Sequence, residues 1–324
     1  MKNRICIIVC YMGKIPNYYN MWVKSVKYNR NYDFMLITDD TSVEYSKEVP
    51  NLTVKHMSFQ EVIRLACVKL NVDIRFDKPY KLCDLRPMYG SIFSEFLYDY
   101  HFWGHCDIDM MFGNLDSFVT DEICNTFCKI YELGHLTLYK NNDYGNSIYR
   151  LSGWGNWEDV TKNNMSMYFD EVGIRQKCSE NKINVYTRKD YADISPRHKR
   201  FTLSNDLLTK EQKRNNNYKY QCFYWERGHV YRAYYEDCVV KIQEFNYIHY
   251  QKRKIMQDYV GTGSAFFITY RGFLPKEYEG IPMLKEVKKY NKYPGMLFET
   301  IENIIFWIKE YKKRLMIKIR RYIK

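Results

Sequence analysis

Residues 4–11 read Arg-Ile-Cys-Ile-Ile-Val-Cys-Tyr, and residues 33–38 read Asp-Phe-Met-Leu-Ile-Thr. Each is a short apolar run that is typical of a buried strand. Between them, residues 18–28 place apolar side chains at the spacing of an amphipathic helix. Two apolar strands that bracket such a helix predict a βαβ unit. We therefore expect an α/β fold with a mixed, mostly parallel sheet that is flanked by helices.

Further elements follow from local patterns. Residues 52–57 predict a strand, and Ser58 with Glu61 forms a capping-box spacing that opens a helix to about residue 70. A third helix is predicted from the region of Pro87, with Asp84 as its N-cap. Shorter apolar runs predict strands at residues 186–191 and 239–248.

Composition excludes several classes of protein. The 324 residues are 46% hydrophobic and 27% charged, which suits a large folded core rather than a disordered chain. The ten cysteines form no CxxC pair, so neither a disulfide-stapled domain nor a zinc ribbon is expected. We find no secretory signal and no apolar stretch of membrane-spanning length, and we expect a cytoplasmic protein.

The positive charge is concentrated near the carboxyl end. Residues 304–324 contain eight basic residues and one acidic residue, within a net charge of +12 for the whole chain. Apolar side chains recur there at steps of three and four, which predicts a basic amphipathic helix. Such a helix can lie on an anionic membrane surface, or it can pack on the protein or on a second subunit. We divide the chain into a catalytic domain, residues 1–280, and a basic helical tail, residues 281–324.

Residues 101–111 predict a buried strand that carries two acids. A strand period of two places Asp107 and Asp109 on the same face, near the end of the strand. Hard oxygen ligands on one face suit Mg²⁺ or Mn²⁺, with a diphosphate filling the open positions. The alternative is that both acids cap a turn or pair with lysines.

Two other segments carry candidate chemistry. His249 ends an apolar run and precedes Lys252 and Lys254, so it could complete a metal site beside cations that neutralise a diphosphate, or it could be a core histidine. Asp170 and Glu171 could orient or deprotonate an acceptor hydroxyl, or they could simply begin a helix. No Walker loop, GxGxxG, GxSxG or HExxH motif is present in the sequence.

Five segments stand out in combination: residues 11–18, 38–40, 79–87, 103–109 and 249–254. They include Thr-Asp-Asp after the second strand, Pro-Tyr-Lys-Leu-Cys-Asp-Leu-Arg-Pro, and Trp-Gly-His-Cys-Asp-Ile-Asp. Together they resemble a bacterial family of glycosyltransferases with the Rossmann-like GT-A fold. That family is catalogued mainly as a domain of unknown function and is found in polysaccharide-synthesis clusters. The resemblance covers roughly residues 4 to 256.

The resemblance implies roles for individual residues. The metal ligands would be Asp107, Asp109 and His249, with Asp107 also near the ribose. Contacts to the nucleotide-sugar donor would come from Tyr11, Asp39, Asp40, Lys81, Asp84 and Arg86. Asp170 and Glu171 would face the acceptor. The segment after His249 departs from better-known families, because it lacks their Gly- and Pro-containing loop, so the diphosphate ligand is left open between Lys252 and Lys254.

The sequence and the resemblance together predict a metal-dependent glycosyltransferase. It would move a sugar from a nucleotide-diphosphate donor, a UDP-sugar by family habit, to a glycan or lipid-linked acceptor in surface polysaccharide synthesis. A terminal histidine ligand slightly favours a retaining hexosyltransferase, and a lipid-linked acceptor would suit peripheral attachment to the inner membrane face. A nucleotidyltransferase using Mg²⁺ and a non-enzymatic polyanion binder are the alternatives. No nucleic-acid partner is expected, because we find no RNP-like or helix-turn-helix pattern.

Overall fold

The structure is a computed structural model. It describes residues 3–44, 46–197, 200–204, 208–209, 211–212, 216–251, 263–290, 301, 304–309, 311–312 and 315. The chain divides into two compact units, Met1–Tyr191 and Ala192–Lys324, and each is described separately. The boundary that we predict at residue 280 stays a prediction.

The first unit is built on a seven-stranded sheet with the order β3-β2-β1-β4-β7-β6-β8. Strands β1 to β4 are mutually parallel, β7 is antiparallel to β4 and β6, and β8 is parallel to β6. This confirms the predicted mixed, mostly parallel sheet. The strands of this unit are β1 Ile5–Tyr11, β2 Tyr32–Thr38, β3 Leu52–His56, β4 Phe102–Cys106, β5 Met110–Phe112, β6 Lys129–Ile130, β7 Leu136–Lys140 and β8 Val185–Tyr186.

Helices flank this sheet. The predicted first and second helices are confirmed, and Ser58 and Glu61 form the expected reciprocal capping box at the start of the second. The helices of this unit are α1 Tyr19–Tyr28, α2 Phe59–Leu70, α3 Tyr89–Ile92, α4 Asp121–Thr126, α5 Asp143–Ser147, α6 Trp157–Lys162 and α7 Ile174–Glu180. A π-helical turn, Phe169–Gly173, leads directly into α7.

Two predicted elements are wrong in detail. The single helix near Pro87 is instead a 3₁₀ helix, Pro79–Met88, followed by the short α3, so Asp84 is not an N-cap. Proline within that segment removes a backbone donor, which disfavours a continuous α-helix. The strand predicted over residues 101–111 breaks into β4 and β5, and the two acids occupy the turn between them.

The segments that carry site residues in the first unit pack on the sheet through buried apolar side chains. One apolar cluster contains Ile8 of β1, Trp103 of β4, Leu85 of the 3₁₀ helix and Phe169 of the π-helical turn, all buried. The Trp103 ring stacks on Tyr139 of β7, with 4.5 Å between the ring centroids. Because cores pack at near-crystalline density, the segments around Leu85 and Phe169 have little freedom to shift.

The second unit contains an antiparallel sheet with the order β12-β11-β10-β14-β15 in its described residues. A helix packs on β10 through buried Val287, and its Tyr290 ring stacks on Phe267 at 4.2 Å. The short strand β9, at the start of the second unit, pairs in parallel with β13. The elements of this unit are β9 Ala192–Asp193, β10 Gln221–Glu226, β11 His229–Glu236, β12 Val239–Phe245, β13 Tyr247–His249, β14 Ala265–Thr269, β15 Gly272–Pro275 and α8 Leu284–Tyr290.

The strand predicted at residues 186–191 is wrong except for Tyr186, which ends β8, because residues 187–191 form no strand. The run predicted at residues 239–248 divides into β12 and β13. In the part of the chain that the structure describes, no helix combines the length and apolarity needed to cross a bilayer.

Asn29 joins the end of α1 to the chain that follows β5. Its buried amide donates to the Ser25 and Gly113 carbonyls at 2.9 Å each and accepts from the Leu115 amide at 2.9 Å. We expect Asn29→Ala to lower the free energy of unfolding by about 3 kcal/mol, because it leaves buried backbone groups unpaired. Urea denaturation measures this loss.

The control is Asn31→Ala, since the exposed Asn31 makes one side-chain hydrogen bond, to Asp116. It should cost less than about 1 kcal/mol. Equal costs for the two variants would contradict the anchoring role of Asn29.

Candidate active site

The predicted site residues of the first unit collect at one edge of its sheet. Tyr11 ends β1, Asp39 and Asp40 follow β2, and Asp107 follows β4. The strand order reverses between β1 and β4, since β2 and β3 lie on one side of β1 and β4 lies on the other. Open α/β sheets bind ligands in the crevice at the carboxyl ends of such strands.

The acidic pair lies in the turn after β4. The Asp107 backbone N–H donates to the His135 carbonyl at 3.0 Å, which extends the β4–β7 register by one pair before the chain bends at residues 108–109. The Asp107 side chain is partly exposed, whereas Asp109 is buried. The pKa values of Tyr11 and Tyr18 are raised, first by burial and then by the negative charge of Asp109. Tyr18 lies in the segment 11–18 but was not among the predicted site residues, and the fold brings it close to the acids.

Arg86 connects the acidic turn to a second acidic segment. Its guanidinium is 12% exposed and forms an ion pair with Asp107. It also contacts Asp170 at 3.0 Å and donates to the Gly134 carbonyl at 3.1 Å. These contacts join three segments that are far apart in sequence. Charge-assisted hydrogen bonds of this kind are among the strongest in proteins.

Asp170 lies in the π-helical turn Phe169–Gly173 and is buried. Burial raises the pKa of its carboxyl to about 7, the Arg86 charge opposes this shift, and the Glu171 and Asp84 charges add to it. A carboxyl with a pKa near neutrality can either give or take a proton. Asp170 and Glu171 lie in the π-helical turn that leads into α7, as expected if they begin a helix, and their acceptor role stays a prediction.

Gly134 is a second residue that sequence analysis missed. A Cβ atom added to it would lie 2.6 Å from the Asp170 carboxylate and 3.0 Å from the Glu171 side chain. Its carbonyl also accepts from Arg86. Only glycine therefore lets this loop approach Asp170 so closely. No local pattern marks this position, because the constraint comes from a segment about forty residues away.

Lys81 and Asp84 form a buried ion pair rather than an exposed binding surface. Lys81 Nζ lies 2.7 Å from the Asp84 carboxylate, and both side chains are almost fully buried. Asp84 also accepts from the backbone N–H groups of Met167 at 2.8 Å and Phe169 at 2.7 Å. The pair therefore ties the 3₁₀ helix to the segment that carries Asp170. Direct donor contact by either residue stays a prediction.

Asp39 and Asp40 shape the loop that follows β1. Asp39 accepts from the Gly13 N–H at 2.6 Å, and Asp40 accepts from the Ile15 N–H at 2.8 Å. Gly13 has a φ of +91°, a conformation that other residues rarely adopt. The two acids thus hold the backbone beside Tyr11 through these hydrogen bonds. Contact of either acid with a nucleotide stays a prediction.

In the second unit, His249 is paired with a carboxylate. Its Nδ1 lies 2.9 Å from Asp193, and Gln251 donates to the same carboxylate oxygen at 2.7 Å. Register places His249 opposite Asp193 in the β13–β9 pair. Carboxylates commonly orient metal-binding histidines in this way. The sequence did not reveal Asp193, and the predicted Lys252 and Lys254 lie outside the described residues.

The donor groups in the first unit fit a hard divalent cation. Besides Asp39 and Asp40, the described site residues of the first unit include five carboxylates and two basic side chains, Lys81 and Arg86. The carboxylates belong to Asp84, Asp107, Asp109, Asp170 and Glu171. Mg²⁺ and Mn²⁺ prefer such oxygen ligands. Asp107 and Asp109 are the pair that the turn after β4 presents together.

The buried carboxyl of Asp170 should make stability depend on pH. Its folded-state pKa of about 7 exceeds the ordinary value near 3.9, so the folded state holds this proton more tightly than the unfolded state. Its contribution to stability is therefore present at low pH and is lost as pH rises from about 4 to 7. Asp170→Asn cannot titrate, so its unfolding free energy should lack this component.

Urea denaturation between pH 4 and pH 8 checks the sign. The unfolding free energy of the native protein, minus that of Asp170→Asn, should fall across the interval. Asp77→Asn, which changes an exposed carboxylate, should show a much smaller pH-dependent difference. A constant difference for Asp170→Asn would show that its carboxyl titrates normally.

Comparison with known proteins places the chain in a family. A search of curated proteins found no match. Two solved structures are similar: the galactosyltransferase LgtC in complex with donor and acceptor sugar analogues, and an active-site mutant of LgtC. The first shares 10% identity over 59% of this chain and 76% of its own, with a TM-score of 0.35. The second shares 10% identity over 76% of this chain and 87% of its own, with a TM-score of 0.39.

Both similarities are too distant to assign an activity. The family comparison is more extensive, because a model described as a family of unknown function, DUF6625, matches residues 7–277. The chain belongs to the DUF6625 family.

Proposed function

We propose that the protein is a metal-dependent glycosyltransferase of the GT-A type. The observation that carries the proposal is the reversal of strand order between β1 and β4, at whose carboxyl ends the turn with Asp107 and Asp109 begins. Nucleotides bind at such a switch point in open α/β sheets. The Tyr11 ring and the acids after β2 would hold the base and ribose of a UDP-sugar.

The paired carboxylates would hold Mn²⁺ or Mg²⁺. Bound there, the ion would stabilise negative charge on the leaving nucleoside diphosphate. Asp109 is the proposed direct ligand, and Asp107 is held by Arg86 in an orientation beside it. His249 is the third ligand that the sequence predicts, and its support is the orienting Asp193 carboxylate. Lys252 or Lys254 would neutralise the diphosphate.

Asp170 and Glu171 are the proposed acceptor-side residues. Asp170 is held by Arg86, and its carboxyl has the near-neutral pKa that suits proton transfer. The acceptor would be a glycan or lipid-linked glycan in surface polysaccharide synthesis, and a retaining outcome is slightly favoured by the terminal histidine.

If Asp170 serves the acceptor, Asp170→Asn should reduce sugar transfer far more than donor binding. Equal losses would assign Asp170 to the donor crevice.

Calorimetric titration with UDP tests the metal and donor roles. We expect UDP to bind the full chain more tightly with Mn²⁺ than without it. Asp109→Asn should lower the Mn²⁺-dependent affinity at least tenfold, about 1.4 kcal/mol, because it removes a charged ligand of the ion. GDP, CDP and ADP titrated in the same way identify the preferred base.

The matched control is Asp99→Asn, which changes an exposed carboxylate outside the site and should leave UDP affinity unchanged. Thermal unfolding of both variants establishes that they are folded. Mn²⁺-dependent binding that persists in folded Asp109→Asn would reject this ligand assignment. Binding of UDP that is insensitive to Mn²⁺ in the native chain would reject the metal role.

We also propose that the carboxyl-terminal segment attaches the enzyme to an anionic membrane surface. In the described part of this segment, residues 304–309, 311–312 and 315 are helical, and Ile304, Ile308 and Tyr311 are 53%, 50% and 68% exposed. The Arg197 guanidinium lies 5.1 Å from the centre of the Trp307 ring. This contact lies within the second unit and is also expected if the segment packs on the protein. Exposed apolar side chains beside basic ones favour an interfacial helix.

Liposome co-sedimentation distinguishes attachment from packing. The full chain should sediment with anionic vesicles at low salt and not with zwitterionic ones, whereas a chain truncated after Glu299 should stay in the supernatant. Each nearby Lys or Arg is expected to add about 1 kcal/mol to binding. Equal sedimentation of both chains, or of neither, would favour packing.

A further inference from the structure

The first unit contains a cavity that the proposed reaction does not use. Its volume is about 610 Å³, within the range of small-molecule sites. Residues of β6, α7 and β8 line it, at the opposite end of the strand order from β3. None of the predicted donor, metal or acceptor residues is part of its lining.

Lys129 brings a buried positive charge to this cavity. Its side chain is 1% exposed, and its ammonium donates to the Tyr131 carbonyl and lies 5.5 Å from the centre of the Tyr139 ring. Among the described residues no carboxylate lies within ion-pair distance of it. An ammonium has three donors, and a buried charge without a counter-ion is costly. Burial accordingly lowers the pKa of Lys129 to about 8.

A second cation lines the same cavity. Arg175, on α7, is half-buried and has no hydrogen bond or ion pair to any residue that the structure describes. Glu132 is the one acidic residue of the described lining, so the cavity carries more positive than negative charge. Glu132 offsets part of this positive charge, and a small anionic group placed against Lys129 and Arg175 would offset the rest.

The remaining lining is suited to hydroxyl groups. Gln176, Ser179 and Thr187 provide amide and hydroxyl groups on the exposed side, and Val172 and Ile183 provide apolar contact. The polar and apolar parts of the lining match a ring that carries hydroxyls along its edge and C–H groups on its face. Orthophosphate alone would leave most of the volume unfilled.

We propose that this cavity binds a sugar that carries a carboxylate, with Lys129 and Arg175 holding the carboxylate and the polar side chains of α7 and of Thr187, which follows β8, holding the hydroxyls. The site takes its ligand without metal and without nucleotide. Its occupancy is therefore independent of the proposed transferase reaction, and either proposal can fail without the other.

Ligand binding to the full chain, without Mn²⁺ or UDP, tests the site. D-glucuronate, D-glucose and inorganic phosphate serve as the probes in calorimetric titrations. We expect D-glucuronate to bind at least tenfold more tightly than D-glucose. Phosphate that binds as tightly as D-glucuronate and competes with it would overturn the assignment to a sugar. Absence of D-glucuronate binding would overturn the proposal itself.

Two variants assign the binding to this cavity. Lys129→Met keeps the length of the side chain and removes the buried charge, so the variant should fold with an unchanged or higher Tm and bind D-glucuronate at least tenfold more weakly. Arg175→Gln is the second, independent variant with the same expectation. Lys162→Met, at an exposed lysine outside the lining, is the control and should bind normally.

Thermal unfolding gives a second readout. D-glucuronate should raise the Tm of the native chain and of Lys162→Met, and it should shift Lys129→Met and Arg175→Gln little or not at all. Equal binding by the native chain and by folded Lys129→Met and Arg175→Gln would place the ligand elsewhere and overturn the proposal.

Discussion

The contacts of Arg86 are the constraint on which the site of the first unit depends. The guanidinium touches carboxylates from two separate segments, the turn after β4 and the π-helical turn before α7. Without a cation at this point, the charges of Asp107 and Asp170 would repel one another in a partly desolvated space. Removing one partner from such a buried arrangement typically costs about 3–5 kcal/mol. Arg86 thus explains how several acids can be gathered at one end of a buried sheet.

The surrounding fold serves that arrangement in two ways. Lys81 and Asp84 tie the 3₁₀ helix to the segment before Asp170, and Gly134 allows the loop that contacts Arg86 to approach without a side chain in between. Like-charged acids then remain in excess at the carboxyl edge, which is the electrostatic setting in which a divalent cation is bound. Burial, together with the smaller effect of the neighbouring acids, raises the pKa of the Asp170 carboxyl to about 7.

Local patterns were sufficient for the first strands and helices. The apolar runs of β1 and β2 and the Ser58 capping box depend on neighbours in sequence, and the structure has them where the sequence predicts them. The strand period failed after Asp107, because the chain bends at residues 108–109 before β5 begins at Met110. Periodicity does not show where within an apolar run a strand is interrupted.

The least predictable parts of the site are its long-range pairs. Asp193 and His249 are 56 positions apart, and Arg86 and Asp170 are 84 apart, so no motif spacing joins them. The family resemblance alone selects Arg86, whereas local sequence also selects Asp170 and His249, and neither source indicates which residues these side chains contact. The positions of Tyr18 beside Asp109 and of Gly134 beside Asp170 are known only from the fold.

The anomalous scattering of Mn²⁺ in crystals grown with UDP tests the central claim most directly. We predict a manganese peak at coordinating distance from the Asp109 carboxylate, with the nucleotide in the crevice between the carboxyl ends of β1 and β4. A manganese and nucleotide site away from that crevice, with Asp107 and Asp109 contacting neither, would contradict the proposed function.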